Sequence, residues 1–117
     1  MPVNPPPPLT PAAFQVLLAL AAGHAHGYAV MQFIEQTTAG TVRLGPGTLY
    51  RTIGRLLADG LVEEVAGGDP AAPHDARRRY YRLTPQGRQA AQAEAALLQR
   101  LVAAATQAGL LPTKEPP

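Results

Sequence analysis

Two clusters of residues have the types and spacing for contact with nucleic acid. Thr48, Arg51, Thr52 and Arg55 recur at i, i+3, i+4 and i+7, which puts hydroxyls and guanidiniums along one face of a helix. A guanidinium is a planar fork of donors that fits a guanine edge or a phosphate with two parallel hydrogen bonds. Further along, Arg77, Arg78, Arg79 and Arg82 flank the aromatic pair Tyr80 and Tyr81, a basic stretch suited to phosphate oxygens. Against both clusters stands the plain alternative of a solvated surface, with Asp69 and Asp75 neutralising the second.

Other chemistry finds little support. His24 and His26 form an HxH pair, but no carboxylate or cysteine adjoins them and His74 is remote in the chain, so no metal-ligand set assembles. No Ser/His/Asp order, phosphate loop or acidic pair stands out, and the expectation is a protein without enzymatic activity, cofactor or metal. With zero cysteines, disulfides, thiolate zinc sites and thiol nucleophiles are excluded, and a reducing cytoplasm is the expected setting. No apolar run approaches the roughly 20 residues of a membrane span, and no basic segment followed by an apolar one opens the chain.

The net charge of +2 says little by itself. Its distribution says more: from Arg43 to Arg88 there are eight arginines against five acids, while the remainder is slightly acidic. Nine of the ten basic residues are arginine, a bias that GC-rich codons also produce and that therefore carries no weight alone.

The elements that would position these residues follow from caps and periodicity. The chain of 117 residues is one domain's worth. Residues 1–9, with the run Pro5 to Pro8, read as a flexible proline-rich arm that cannot supply a packed element. Thr10-Pro11 is an N-cap followed by a first-turn proline, opening a helix with Phe14, Leu17, Leu18 and Ala21 on its apolar stripe up to Gly23. A second helix runs from Gly27 to about Thr38 with Val30, Met31 and Ile34 inward, and Gly40 stops it. Tyr28, Phe33 and Phe14 are expected in the core.

After the link Thr41 to Leu44, the turn Gly45-Pro46-Gly47 opens a third helix running to about Asp59 and closed by Gly60. Leu49, Ile53, Leu56 and Leu57 form its buried stripe, opposite the Thr48 and Arg51 face. Gly54 in its middle costs about 1 kcal/mol relative to alanine, which implies close approach by a neighbouring backbone or by nucleic acid. Leu61 to Val65 and Arg77 to Leu83 read as the strands of a hairpin with a long tip. Alternation places Arg79, Tyr81 and Leu83 on one face and Arg78, Tyr80 and Arg82 on the other. Because Leu83 marks the inward face, Arg78 and Arg82 carry more weight as outward contacts than Arg79.

Thr84-Pro85 repeats the cap and proline signature and opens an alanine-rich helix to about Ala108. Ala91, Leu98, Leu101, Ala105 and Ala108 lie on a seam of roughly seven-residue period, which a second copy would cover. The expected layout is a winged helix-turn-helix over 10–84, mainly α with a small β-hairpin, then a long dimerisation helix over 85–111 and a flexible tail over 112–117. The second helix of such a motif presents its N-terminal residues to base edges in the major groove, here Gly47, Thr48, Arg51 and Thr52. Arg51 suits a guanine; Arg55, one turn on, suits a phosphate. The hairpin tip from Gly68 to Ala76 would bring Arg77 and Arg78 to phosphates or the minor groove.

The segments His26-Gly27-Tyr28, Pro46-Gly47-Thr48-Leu49-Tyr50-Arg51, Asp59-Gly60-Leu61-Val62 and Arg78-Arg79-Tyr80-Tyr81-Arg82-Leu83-Thr84-Pro85-Gln86-Gly87 resemble the PadR family of transcriptional regulators. The single C-terminal helix resembles its compact subfamily. The resemblance implies a homodimeric repressor that binds an inverted repeat in double-stranded DNA and releases it when a small effector binds near the dimer interface. It also implies that His26 caps or packs at the start of the second helix and that the Tyr50 hydroxyl reaches a phosphate oxygen. Two departures matter: Gly45 stands where a side-chain cap is expected, and no tryptophan exists to line an effector pocket. Leu97, Leu98, Leu101 and first-helix residues would have to serve as its walls instead. The rival expectation, from the low net charge and the apolar seam, is a winged-helix module that binds protein rather than DNA.

Overall fold

The computed structural model describes residues 8–65 and 79–112. Four helices and a two-stranded sheet follow in the order α1 (Pro11–Ala21), α2 (Gly27–Thr37), α3 (Pro46–Ala58), β1 (Val62–Val65), β2 (Tyr80–Leu83) and α4 (Pro85–Gln107). The expectations for 1–7, for the hairpin tip with Arg77 and Arg78, and for 113–117 lie outside the described residues.

The caps act as their sequences require. Thr10 accepts from the Ala13 amide ahead of α1, and Thr84 from the Gly87 amide ahead of α4, each relieving one orphan donor of a first turn. Between α2 and α3 the Thr38 hydroxyl donates to the Ile34 carbonyl and accepts the Val42 amide, while Ala39 and Gly40 take positive φ of 52° and 80°. That left-handed pair ends α2 and turns the chain into the link that leads to α3.

A single core gathers Val16, Leu17, Leu20, Val30, Ile34, Leu49, Ile53, Leu56, Val62 and Tyr81. Helix α1 lies at its centre, against α2, α3, α4 and β2. Strands β1 and β2 pair antiparallel with Val62 opposite Leu83 and Glu63 opposite Arg82, so Tyr81 and Leu83 face inward as the alternation predicts.

Several expectations need correction. Helix α1 buries Val16, Leu17, Ala19 and Leu20, whereas Leu18 is 37% exposed and Ala21 is exposed. Apolar residues occupy nearly every position of α1, so its pattern does not single out a face; contact with three other helices does. Tyr28 is 57% exposed rather than core, its hydroxyl accepting from Gln32, and Phe14 is half-buried outside the core cluster. Phe33 does pack on the core and against the His24 ring, 4.8 Å between centroids. The ladder is shorter than expected at both ends, since Leu61 belongs to the turn after α3 and Arg79 precedes β2. Leu9, assigned to the free arm, packs on the core and donates its amide to Glu94 Oε1 at 3.0 Å. A polyproline run lacks donors, but the first residue after it does not, and a buried carboxylate on α4 takes that donor.

Candidate nucleic-acid interface

Helix α3 divides as its sequence implies. Leu49, Ile53 and Leu56 are buried, Leu57 is half-buried, and Gly47, Thr48, Tyr50, Arg51 and Arg55 are exposed, with Thr52 intermediate at the edge. Gly45 caps the helix without a side-chain hydrogen bond, so the cap residue leaves the first-turn amides without the acceptor that a Ser, Thr or Asp there would supply. Among the described residues Arg51 has no ion-pair partner. Arg55 sits 3.9 Å from Asp59, both side chains exposed, a pair too solvated to hold the guanidinium firmly.

Gly47, Arg51, Gly54 and Ala58 form the outermost line of this helix, all of them exposed. A side chain at Gly54 would meet nothing within 4 Å, which removes the neighbouring-backbone explanation for that glycine. At Gly27 the reverse holds. A Cβ there would overlap the Tyr50 hydroxyl, so the N-terminus of α2 and the first turn of α3 touch because that glycine lacks a side chain. His26 caps α2, its Nδ1 accepting the Ala29 amide at 3.2 Å, and its ring meets Tyr80 edge-on at 5.7 Å. The His26-Gly27 pair thus ties the start of α2 to both α3 and the hairpin.

On the hairpin, Arg82 is exposed and forms an ion pair with Glu63, its cross-strand partner in register. Arg79 lies 4.0 Å from Glu64. Burial, with a further push from the Glu64 carboxylate, raises the Tyr81 hydroxyl above its usual pKa, and Arg79 opposes the rise. The acids that neighbour the described hairpin arginines are therefore Glu63 and Glu64, one strand across; the sequence suggests Asp69 and Asp75, which lie outside the described residues. The signal was available in the register, since two strands closing on Thr84 set Glu63 opposite Arg82.

Of the α4 seam, Ala91 packs against the core of its own domain, Leu98 and Ala105 are half-buried, and Leu101 and Ala108 are exposed. Leu97, Val102, Leu110 and Leu111 add exposed apolar surface that the seven-residue pattern did not include. Between α3 and α4 runs a groove of about 1030 Å³, reaching from Thr52 and Arg55 to Ala93 and Glu94 and floored by Leu9 and Leu56. Sequence reasoning missed it because Leu9 and Glu94 are 85 positions apart. No cluster of potential metal ligands occurs among the described residues, and no helix there is long and apolar enough to cross a membrane.

Comparison with known proteins agrees with this architecture. A transcriptional regulator from Clostridium thermocellum superposes with a TM-score of 0.68 at 23% identity, covering 82% of this chain and 87% of that one. A PadR family regulator from Clostridium difficile gives 0.65 at 19% identity, over 82% of this chain and 95% of that one. The PcaV regulator of Streptomyces coelicolor, solved with its natural ligand, gives 0.68 at 24% identity, over 86% of this chain and 63% of that one. In sequence, an uncharacterized 37.1 kDa protein in transposon TN4556 of Streptomyces fradiae is 42% identical over 86 residues, and the match takes up 74% of this chain but 22% of that protein. The model of the transcriptional regulator PadR-like family matches residues 16–93, which span the helix-turn-helix, the hairpin and the first part of α4; the chain belongs to the PadR-like family of transcriptional regulators.

Proposed function

We propose that the protein is a sequence-specific, homodimeric DNA-binding regulator that represses from an inverted repeat and releases it when a small molecule binds. The observation that carries this reading is the outward face of α3, where Arg51 stands between Gly47 and Gly54 with no ion-pair partner among the described residues. With no side chain at Gly47 or Gly54, the helix backbone can lie close to the floor of a major groove while Arg51 reaches a guanine edge. Arg55, Thr48, Thr52 and the Tyr50 hydroxyl flank it for phosphate contact, and the uncapped first turn of α3 offers amides to an oxygen anion. Arg77, Arg78 and Arg82 would extend the phosphate contact along the hairpin.

The α4 seam supplies the second half of the reading. Exposed Leu101 and Val102 on one long helix make an apolar surface of a kind that monomers seldom leave open, and a second copy packed there would set two α3 helices on one face. Family membership and the ligand-bound PcaV neighbour support regulation by an effector. Selection of bound duplexes from a randomised pool tests the assignment. The expected product is an inverted repeat with half-sites about one helical turn, 10 to 10.5 base pairs, apart; a pool that stays random through successive rounds contradicts it.

A further inference from the structure

The groove between α3 and α4 has the composition of a ligand site. Leu9, Ala13, Leu56, Leu61, Ala93 and Leu97 give it apolar walls, and Glu94 lies among them. Glu94 is the one buried charged side chain among the described residues, 9% exposed. Its Oε1 accepts the Leu9 amide. Its other oxygen takes no hydrogen bond, and no cation stands within ion-pair distance, among the described residues. That second oxygen is not sealed off, so a mostly buried carboxylate without a counter-charge stays open to an arriving cation, which would offset its partial loss of hydration. Room for one is present, since about 1030 Å³ is at the upper end of small-molecule sites, roughly 300 to 1,000 Å³. At the rim, Arg55 and Asp59 face each other and largely cancel, and exposed Arg51 lies on the opposite wall, so the buried charge, as distinct from the rim charges, is the carboxylate of Glu94.

We propose that this groove binds a small hydrophobic amine, its ammonium paired with the free oxygen of Glu94 and its alkyl or aryl body against Leu9, Ala13, Leu56 and Leu97. The opposite wall carries Arg51, Thr52 and Arg55, the flank of the face assigned to DNA. A bound amine therefore occupies space beside the reading helix and competes with the phosphates that would approach Arg55. That consequence for DNA rests on the proposed function; binding of the amine does not.

Titration of the full chain with phenethylammonium, followed by NMR in the absence of DNA, tests the site, with hydrocinnamate and phenethyl alcohol as anionic and neutral partners of similar shape. Saturable binding of the amine is expected, at least about tenfold tighter than either comparator, the contrast that one good charge pair supplies. Glu94→Gln keeps an acceptor for the Leu9 amide and should lose about tenfold or more in amine affinity. Ala93→Phe should block the groove without changing its charge. Circular dichroism checks that both variants fold.

No saturable binding by the folded wild type overturns the proposal, as it would if a second copy closed the groove. Tighter binding of hydrocinnamate, or undiminished amine binding by folded Glu94→Gln, overturns it as well. Titration of a preformed DNA complex should then show the amine lowering affinity for DNA, and an unchanged affinity overturns the regulatory half alone. A protein that takes the amine but never binds DNA contradicts the proposed function and leaves the amine site standing.

Discussion

At the scale of single residues, the proposed reading role of α3 rests on what Arg51 carries and on what Gly47 and Gly54 lack. Arg51 is exposed and unpaired among the described residues, so its replacement removes a contact without disturbing the core. Arg51→Ala should weaken binding by about 1 to 3 kcal/mol and relax preference at one base pair per half-site, whereas Arg78→Ala should weaken all sequences alike. An unaltered sequence motif for the Arg51 variant, read by selection from a randomised pool, would place base recognition elsewhere. Gly54 makes a sharper test because the two readouts should move in opposite directions. The open space around Gly54 means Gly54→Ala should raise protein stability by roughly 1 kcal/mol through helix propensity, yet lower affinity for DNA by crowding the approach. A stabilised protein with unchanged DNA affinity would leave that glycine without a role in binding. The exposed polar face of α3 was legible in the sequence because it shows in residue type and spacing. Exposure of Tyr28 was not, since nothing local tells an aromatic on the third side of a helix from one on the second.

At the scale of elements, caps and periods carried most of the information. Thr10-Pro11 and Thr84-Pro85 lie where the sequence puts them because each meets a local hydrogen-bond requirement, and α3 starts after Gly45 with a first-turn proline though no side chain caps it. The inward face of α1 was misread because its burial is set by neighbours far along the chain. The same holds for Leu9 and Glu94. Gly87 shows how an element junction can hinge on one missing side chain: a Cβ there would overlap the Leu61 carbonyl, where the first turn of α4 meets the residue before β1. Backbone cannot yield as a flexible side chain can, so Gly87→Ala should destabilise the domain by more than about 2 kcal/mol. Chemical denaturation measures it, and a midpoint within error of wild type would mean that α4 shifts freely against the hairpin.

At the scale of the whole molecule, a small core holds the helix-turn-helix and hairpin together, while the later part of α4 extends beyond it. Leu101 is 57% exposed on a helix whose first turns are already packed on their own domain. Leu101→Glu should yield monomers, because a carboxylate at an apolar contact would lose its hydration unpaired; light scattering reads the mass, and an unaltered dimer would move the contact off this seam. The seam itself was only partly legible, since it appears as a pattern but Ala91 within it serves its own domain. The most direct test of the central claim is binding to duplex DNA followed by fluorescence anisotropy at several salt concentrations, using the region upstream of the protein's own gene and a shuffled control. A DNA-reading protein predicts preference for the upstream duplex with a steep fall of log affinity against log salt, near 0.9 per phosphate contacted. No binding to either duplex even at low salt would contradict it and favour a module that binds protein through the same exposed helix.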